Sequence, residues 1–135
     1  VIFAGYRNRE EIAKYLAAAS VVWIPMSGFV IYEAAAATKA IVAFDVEWHS
    51  EFVEQDVTGL LVPDRDAAQA AAAVVRLLED LQLASRLAQN ARRRFTEECN
   101  QERLVQREIE EYLTAMSRSS VREDAGIHPA STRRE

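Results

Sequence analysis

The feature that most constrains this chain is a series of short runs, apolar on both faces, each stopped by a turn residue and followed by a stretch of helical periodicity. Val1-Ile2-Phe3-Ala4 reaches Gly5, and Arg9–Ser20 then repeats apolar residues at Ile12, Tyr15, Leu16 and Ala19. Val21-Val22-Trp23-Ile24 is stopped by Pro25 and followed by Met26-Ser27-Gly28 and a helical stretch over Tyr32–Thr38. Ile41-Val42-Ala43-Phe44 ends at Asp45, a short helix is expected around Glu51–Glu54, and Leu60-Leu61-Val62 follows the Thr58-Gly59 turn and stops at Pro63. Strands that are apolar on both faces and alternate with helices predict a parallel sheet covered on both sides, because each crossover helix packs on the sheet it links. The expected fold class is therefore α/β, a Rossmann-like parallel sheet flanked by helices.

From Asp66 the pattern becomes helical. Asp66 can cap a helix with apolar positions at Ala70, Val74, Leu77 and Leu78, and further helices are expected over Leu81–Phe95 and Gln101–Met116. The last of these either covers the sheet or reaches towards another domain. Ser117–Glu135 is polar and contains Gly126 and Pro129, too few apolar groups to offset the entropy of ordering. The predicted organisation is one domain over 1–117 and a disordered tail over 118–135.

With 135 residues, half of them hydrophobic, the chain can bury one core. It opens at Val1 directly on an apolar run, which predicts further sequence upstream. The lone Cys99 cannot form an internal disulfide, and neither His49 nor His128 sits in metal-ligand spacing, so no metal site is expected and a reducing, cytoplasmic setting fits best. No apolar run approaches the roughly 20 residues that a spanning helix needs. Val1–Asp64 holds 4 basic against 9 acidic residues and Arg65–Glu135 holds 12 of each, so the net charge of −5 comes from the first half. That balance argues against a nucleic-acid partner, which requires a basic face, and Arg92-Arg93-Arg94 reads as a solvated helix face.

In an open parallel sheet, ligands settle at the carboxyl ends of the strands, where helix N-termini present unpaired N–H groups. Ile24-Pro25-Met26-Ser27-Gly28-Phe29-Val30-Ile31-Tyr32-Glu33 has this form: strand end, short loop with one glycine, helix with an early carboxylate. Gly28 lets a ligand approach the backbone, the N–H groups near Phe29 and Val30 can meet an anionic diphosphate, and Glu33 can accept hydrogen bonds from vicinal sugar hydroxyls. The alternative is that Glu33 merely suits the helix dipole. Asp45, His49 and Glu51 form a second candidate loop, with helix capping or structural burial as the competing role for each.

Taken together, Pro25, Gly28-Phe29, Glu33-Ala34 through Asp45, Glu51-Phe52-Val53 and Thr58-Gly59-Leu60-Leu61-Val62-Pro63 closely resemble the C-terminal domain of group 1, family 4-like, retaining glycosyltransferases of the GT-B, two-Rossmann-domain fold. Val1–Gly5 and the helix Glu11–Ala19 are similar to that family's preceding strand and helix. The resemblance covers the chain to about Arg94. It implies a nucleotide-diphosphate sugar as donor substrate, no other cofactor, and transfer with retention to an unknown acceptor: a glycan, a lipid-linked sugar or a small molecule. It assigns Glu33 to the donor ribose and Ser27, Gly28, Phe29 and Val30 to the diphosphate and sugar, and it places Glu51 beside the donor cleft. The family's earlier glutamate, eight positions before Glu33, corresponds here to Pro25, so Ser27 takes over part of its polar work or catalytic competence falls. The resemblance implies a cationic diphosphate clamp and an acceptor-binding domain upstream of Val1, so the chain by itself is expected to be inactive, with any peripheral membrane contact made through that other domain. A non-catalytic nucleotide- or partner-binding module remains the alternative reading.

Overall fold

The computed structural model describes residues 1–26 and 28–124, with side chains except those of 101–103 and 117–124. The elements are α1 (Arg9–Ala18), β1 (Val21–Ile24), α2 (Val30–Ala36), β2 (Ala40–Phe44), α3 (His49–Phe52), β3 (Leu60–Val62), α4 (Ala67–Glu79), α5 (Leu81–Glu98) and α6 (Gln101–Asp124). The chain divides into two compact units, 1–98 and 99–135.

In the first unit the three strands form a wholly parallel sheet in the order β1-β2-β3, with Trp23 beside Val42 and Val42 beside Leu60. The period of two divides the strand side chains between two cores. One face carries Ala40, Val42, Leu60 and Val62 and is covered by Ala70, Ala73 and Leu77 of α4 and by Leu83, Ala84 and Leu87 of α5. The other carries Ile24, Ile41 and Ala43 and packs on Ile31, Ala34 and Ala35 of α2 and on Phe52 and Val53. Helix α5 serves both layers: its first turns join the first core, and Ala91 with Phe95 joins the second. The buried alanines Ala34, Ala35, Ala70, Ala73 and Ala84 are thus packing devices, because a methyl group lets a helix lie close to the sheet. The α/β class and the flanked parallel sheet follow the sequence expectation.

Local chemistry explains the element ends. Asn8 caps α1 in a reciprocal box with Glu11, and the Asp66 side chain accepts from the Gln69 N–H at the start of α4. Gly59 is forced by space: a Cβ there would lie 2.7 Å from Val53 Cγ1 and 2.9 Å from the Ile41 carbonyl oxygen.

Two expectations need correction. Val1–Ala4 is not a strand; Val1, Ile2 and Phe3 are fully exposed and pair with none of the described strands. A four-residue run has no extended stability outside a ladder. Helix α6 also runs on to Asp124, past Met116, into the stretch expected to be a tail; its sequence is rich in Glu and Arg, which sustain a helix by propensity, and its side chains over 104–116 are exposed. The remainder of that tail, 125–135, lies outside the described residues.

Candidate functional site

Parallel pairing brings the ends of β1, β2 and β3 to one edge of the sheet, so the loops opening at Pro25, Asp45 and Pro63 share that edge. The first loop leads into α2 through Phe29, which has helical φ and ψ and provides no side-chain cap. No side chain caps the first turn, although the Ile31 and Tyr32 N–H groups turn back to the Gly28 and Phe29 carbonyls at 3.4 and 3.0 Å, and a helix start without a side-chain cap has room for an anion. Space beside Gly28 is open, with nothing within 4 Å of where a Cβ would stand. Phe29 is 79% exposed, and Val30 is exposed as well. Glu33 is half-buried one turn into α2, and its carboxylate makes no hydrogen bond or ion pair among the described residues. Ser27 lies outside the described residues.

The second loop is held from both ends. The Asp45 N–H donates to the Val62 carbonyl at 2.8 Å, tying the end of β2 to β3 while leaving the Asp45 side chain exposed. His49 is completely buried; its Nδ1–H donates to the Phe44 carbonyl at 2.8 Å, and its buried Nε2 has no partner. Between these anchors Glu47 adopts a left-handed conformation, φ 49°, which costs energy for a residue with a Cβ and turns the loop sharply. His49 therefore lies inside the second loop rather than on its open surface. Glu51 is exposed, and its carbonyl accepts a 2.7 Å hydrogen bond from Arg94.

The two loops meet through Tyr32 and Trp48, which the sequence did not single out. Tyr32 stacks on Trp48 with centroids 5.4 Å apart, and Trp48 stands edge-on to His49 at 5.5 Å. Phe29 lies 6.4 Å from Tyr32 on the outer side, and Phe52 lies 4.8 Å from it on the inner side. The signal was available as spacing: Phe29 and Tyr32 are three apart on one helix. Arg92 and Arg93 are exposed, as a solvated helix face requires, and Arg92 and Arg94 also reach across the fold. Arg92 donates to the Ala36 carbonyl at the end of α2, and Arg94 spans from Glu98 to Glu51 while lying over Phe52, so α5 clamps the C-terminal end of α2 and helix α3.

With the strand-end loop, the carboxylate in the first turn of α2 and the Thr58–Pro63 turn in place, comparison with known proteins decides the lineage. Residues 1–80 match the family model described as glycosyl transferases group 1. The chain belongs to the group 1 glycosyltransferases. A curated relative, alpha-D-kanosaminyltransferase of Streptomyces kanamyceticus, is 33% identical over 95 residues, which are 67% of this chain and 25% of that protein. The structure of HepE from Anabaena in complex with UDP-glucose superposes with a TM-score of 0.71 at 26% identity, covering 84% of this chain and 32% of HepE. The C-terminal domain of the group 1 glycosyltransferase LpcC from Francisella tularensis superposes with a TM-score of 0.63 at 25% identity, covering 71% of this chain and 51% of that one. The fold of this glycosyltransferase chain is accordingly that of the C-terminal GT-B domain, and the chain spans about a quarter of its curated relative. Among the described residues, no group of three His, Cys, Asp or Glu side chains is placed to hold a metal ion, and no helix is long and apolar enough to cross a membrane.

Proposed function

We propose that this chain supplies donor-binding structure to a retaining, nucleotide-sugar-dependent glycosyltransferase and is inactive without the acceptor-binding domain. The observation that carries the proposal is Glu33: a half-buried carboxylate without a partner among the described residues, one turn into a helix at the carboxyl edge of a parallel sheet, in a chain of this family. An unpaired carboxylate there offers two acceptor oxygens to a ribose diol. Gly28, with open space beside it, and the N–H groups of Phe29 and Val30 receive the diphosphate, with Ser27 adding a hydroxyl. The similarity to a UDP-glucose complex of HepE supports a uridine diphosphate sugar as donor.

Asp45 and Glu51, both exposed, border the cleft, while His49 acts through the loop it anchors and does not touch the donor. In transfer, the bond from the anomeric carbon to the diphosphate breaks, a bond to an acceptor oxygen forms, and the acceptor proton is released. Much of the rate in such a reaction comes from holding two substrates in one geometry, which half a cleft cannot do. The lone Cys99 supports a cytoplasmic setting.

The test is calorimetric titration of UDP-glucose into the whole encoded polypeptide. Glu33→Ala should weaken binding at least about tenfold, the scale of about 1.4 kcal/mol for hydrogen bonds to a charged group, with an unchanged circular dichroism spectrum. Unaltered affinity would remove Glu33 from the donor site. Pro25, standing where the family has a glutamate, favours a second reading in which the chain binds nucleotide or a partner without catalysis. Donor binding without turnover in the whole polypeptide would select it.

A further inference from the structure

Phe29 serves neither the helix it precedes nor the core beneath it. It holds the N-cap position of α2, where serine, threonine, aspartate or asparagine ordinarily accepts a backbone N–H, and its side chain makes no such bond. At 79% exposure it also leaves most of its ring in water, where an apolar side chain gains nothing from burial. A residue that breaks the local rules on both counts marks the kind of position at which function, rather than folding, sets the choice.

The ring is nevertheless backed. It lies 6.4 Å from Tyr32 with the planes 31° apart, and Tyr32 is in turn stacked on Trp48, met edge-on by Phe52 and flanked by Phe95. Phe29 is thus the outer member of a row, Phe29-Tyr32-Trp48, whose inner members are held by the core. Its surroundings are those of the donor site. Gly28 has open space beside it, and Glu33 stands four residues on, the spacing that brings two helix side chains together at roughly 5–6 Å between Cβ atoms.

We propose that the Phe29 ring is the platform on which the hexose of the sugar nucleotide lies, C–H face against π face. The proposal rests on the donor-site reading and deepens it. That reading gives the ribose to Glu33 and the diphosphate to the Gly28 end of α2, so the hexose, on the far side of the diphosphate from the ribose, arrives at the end of the helix that carries Phe29. A pyranose with equatorial hydroxyls presents a patch of axial C–H groups, which suits the negative face of an aromatic ring. The substrate class is therefore a nucleoside diphosphate hexose with an unbroken C–H face, such as UDP-glucose; the nucleoside diphosphate alone gains nothing from the ring.

The test is calorimetric titration of UDP-glucose and of UDP into the whole encoded polypeptide. Phe29→Ser removes the ring and keeps the backbone N–H groups, and it should lower the ratio of UDP-glucose to UDP affinity at least about fivefold. Its thermal midpoint should stay within about 2 °C of the unsubstituted value, as an exposed side chain requires. Phe29→Trp retains a π face and should hold the ratio within about twofold. A ratio unmoved by Phe29→Ser would overturn the proposal; if the midpoint fell with it, the ring would belong to a contact between domains. An equal loss of ratio in Phe29→Trp would overturn it as well, because a flat aromatic face would not be what the sugar requires. Glu33→Ala separates this outcome from the parent reading: it should weaken both ligands and leave their ratio within about twofold. UDP affinity untouched by Glu33→Ala would remove the donor site itself, and the platform with it.

Discussion

The Trp48 indole lies parallel to the Tyr32 ring, their planes 10° apart and their centroids separated by 5.4 Å. This one contact joins the loop after β2 to the helix that carries Glu33. Trp48→Ala should destabilise the fold by about 2–3 kcal/mol, below the range for a fully buried tryptophan because Trp48 is half-buried. Urea unfolding measures this directly, and a loss under about 0.5 kcal/mol would mean that the stack contributes nothing beyond a surface contact.

At Gly59 the constraint is steric. A methyl group at that position meets the Ile41 carbonyl, which is part of the central strand and cannot move away, as well as the Val53 side chain. Gly59→Ala should cost about 1–3 kcal/mol. Paired with Val53→Ala it should recover only part of that loss, since the carbonyl contact remains; full recovery in a double-mutant cycle would locate the clash at Val53 alone.

How far the sequence could be read depended on whether an element's stability is local. The strands Val21–Ile24 and Leu60–Val62 were legible to the residue because Pro25 and Pro63 mark their ends, and Asp66 was legible as a cap from its place before an apolar helical stretch. Val1–Ala4 has the same composition as the true strands and failed because pairing is a property of the neighbour, which composition does not encode. The positions of Gly28 and Glu33 at a strand-end loop were legible for the same punctuation reason. The burial of His49 was not, since a histidine in a loop carries no periodicity, and the clamp by Arg92 and Arg94 joins residues far apart in sequence.

Thr38 follows α2 in the left-handed region, φ 55°, while its N–H bonds the Ala35 carbonyl and the Lys39 N–H bonds that of Ala34. This is the place where a helix usually ends on glycine, and a β-branched residue there is strained by about 1–2 kcal/mol. Thr38 is exposed, so its side chain offsets little of that cost. Thr38→Gly should stabilise the chain by about 0.5–1 kcal/mol after the extra backbone entropy of glycine is subtracted. A lower unfolding midpoint in Thr38→Gly would show that threonine makes a compensating interaction.

His49 separates structural from ligand-contact roles. Its Nδ1–H holds the Phe44 carbonyl at the mouth of the loop, and an asparagine side chain can donate from nearly the same place. His49→Asn should therefore be less destabilising than His49→Phe, which removes one of the two donors to that carbonyl and leaves it the Val46 N–H at 3.0 Å, a loss of about 0.5–1.5 kcal/mol. Both should leave UDP-glucose affinity within about threefold in the folded polypeptide, well short of the Glu33→Ala loss, because half a kcal/mol or so of loop adjustment is all that reaches the donor. Donor affinity falling as far as in Glu33→Ala would place His49 in contact with the sugar nucleotide.

The N-cap of α4 gives a pH signature with a definite sign. Hydrogen bonds from the Gln69 backbone N–H and its side-chain amide, with a smaller one from the Ala68 N–H, hold the Asp66 carboxyl below its usual 3.8 against a small opposing effect of desolvation. A carboxyl whose folded-state pKa is depressed stabilises the fold above its unfolded pKa, and that contribution disappears as the pH drops through the folded value. Asp66→Asn retains an acceptor for the Gln69 N–H but removes the charge, so it should match the unsubstituted chain in strongly acidic solution and fall below it from pH 5 upward. Thermal midpoints measured across that range check the sign: a difference that persists unchanged below the depressed pKa would show that the carboxylate charge has no part in capping α4.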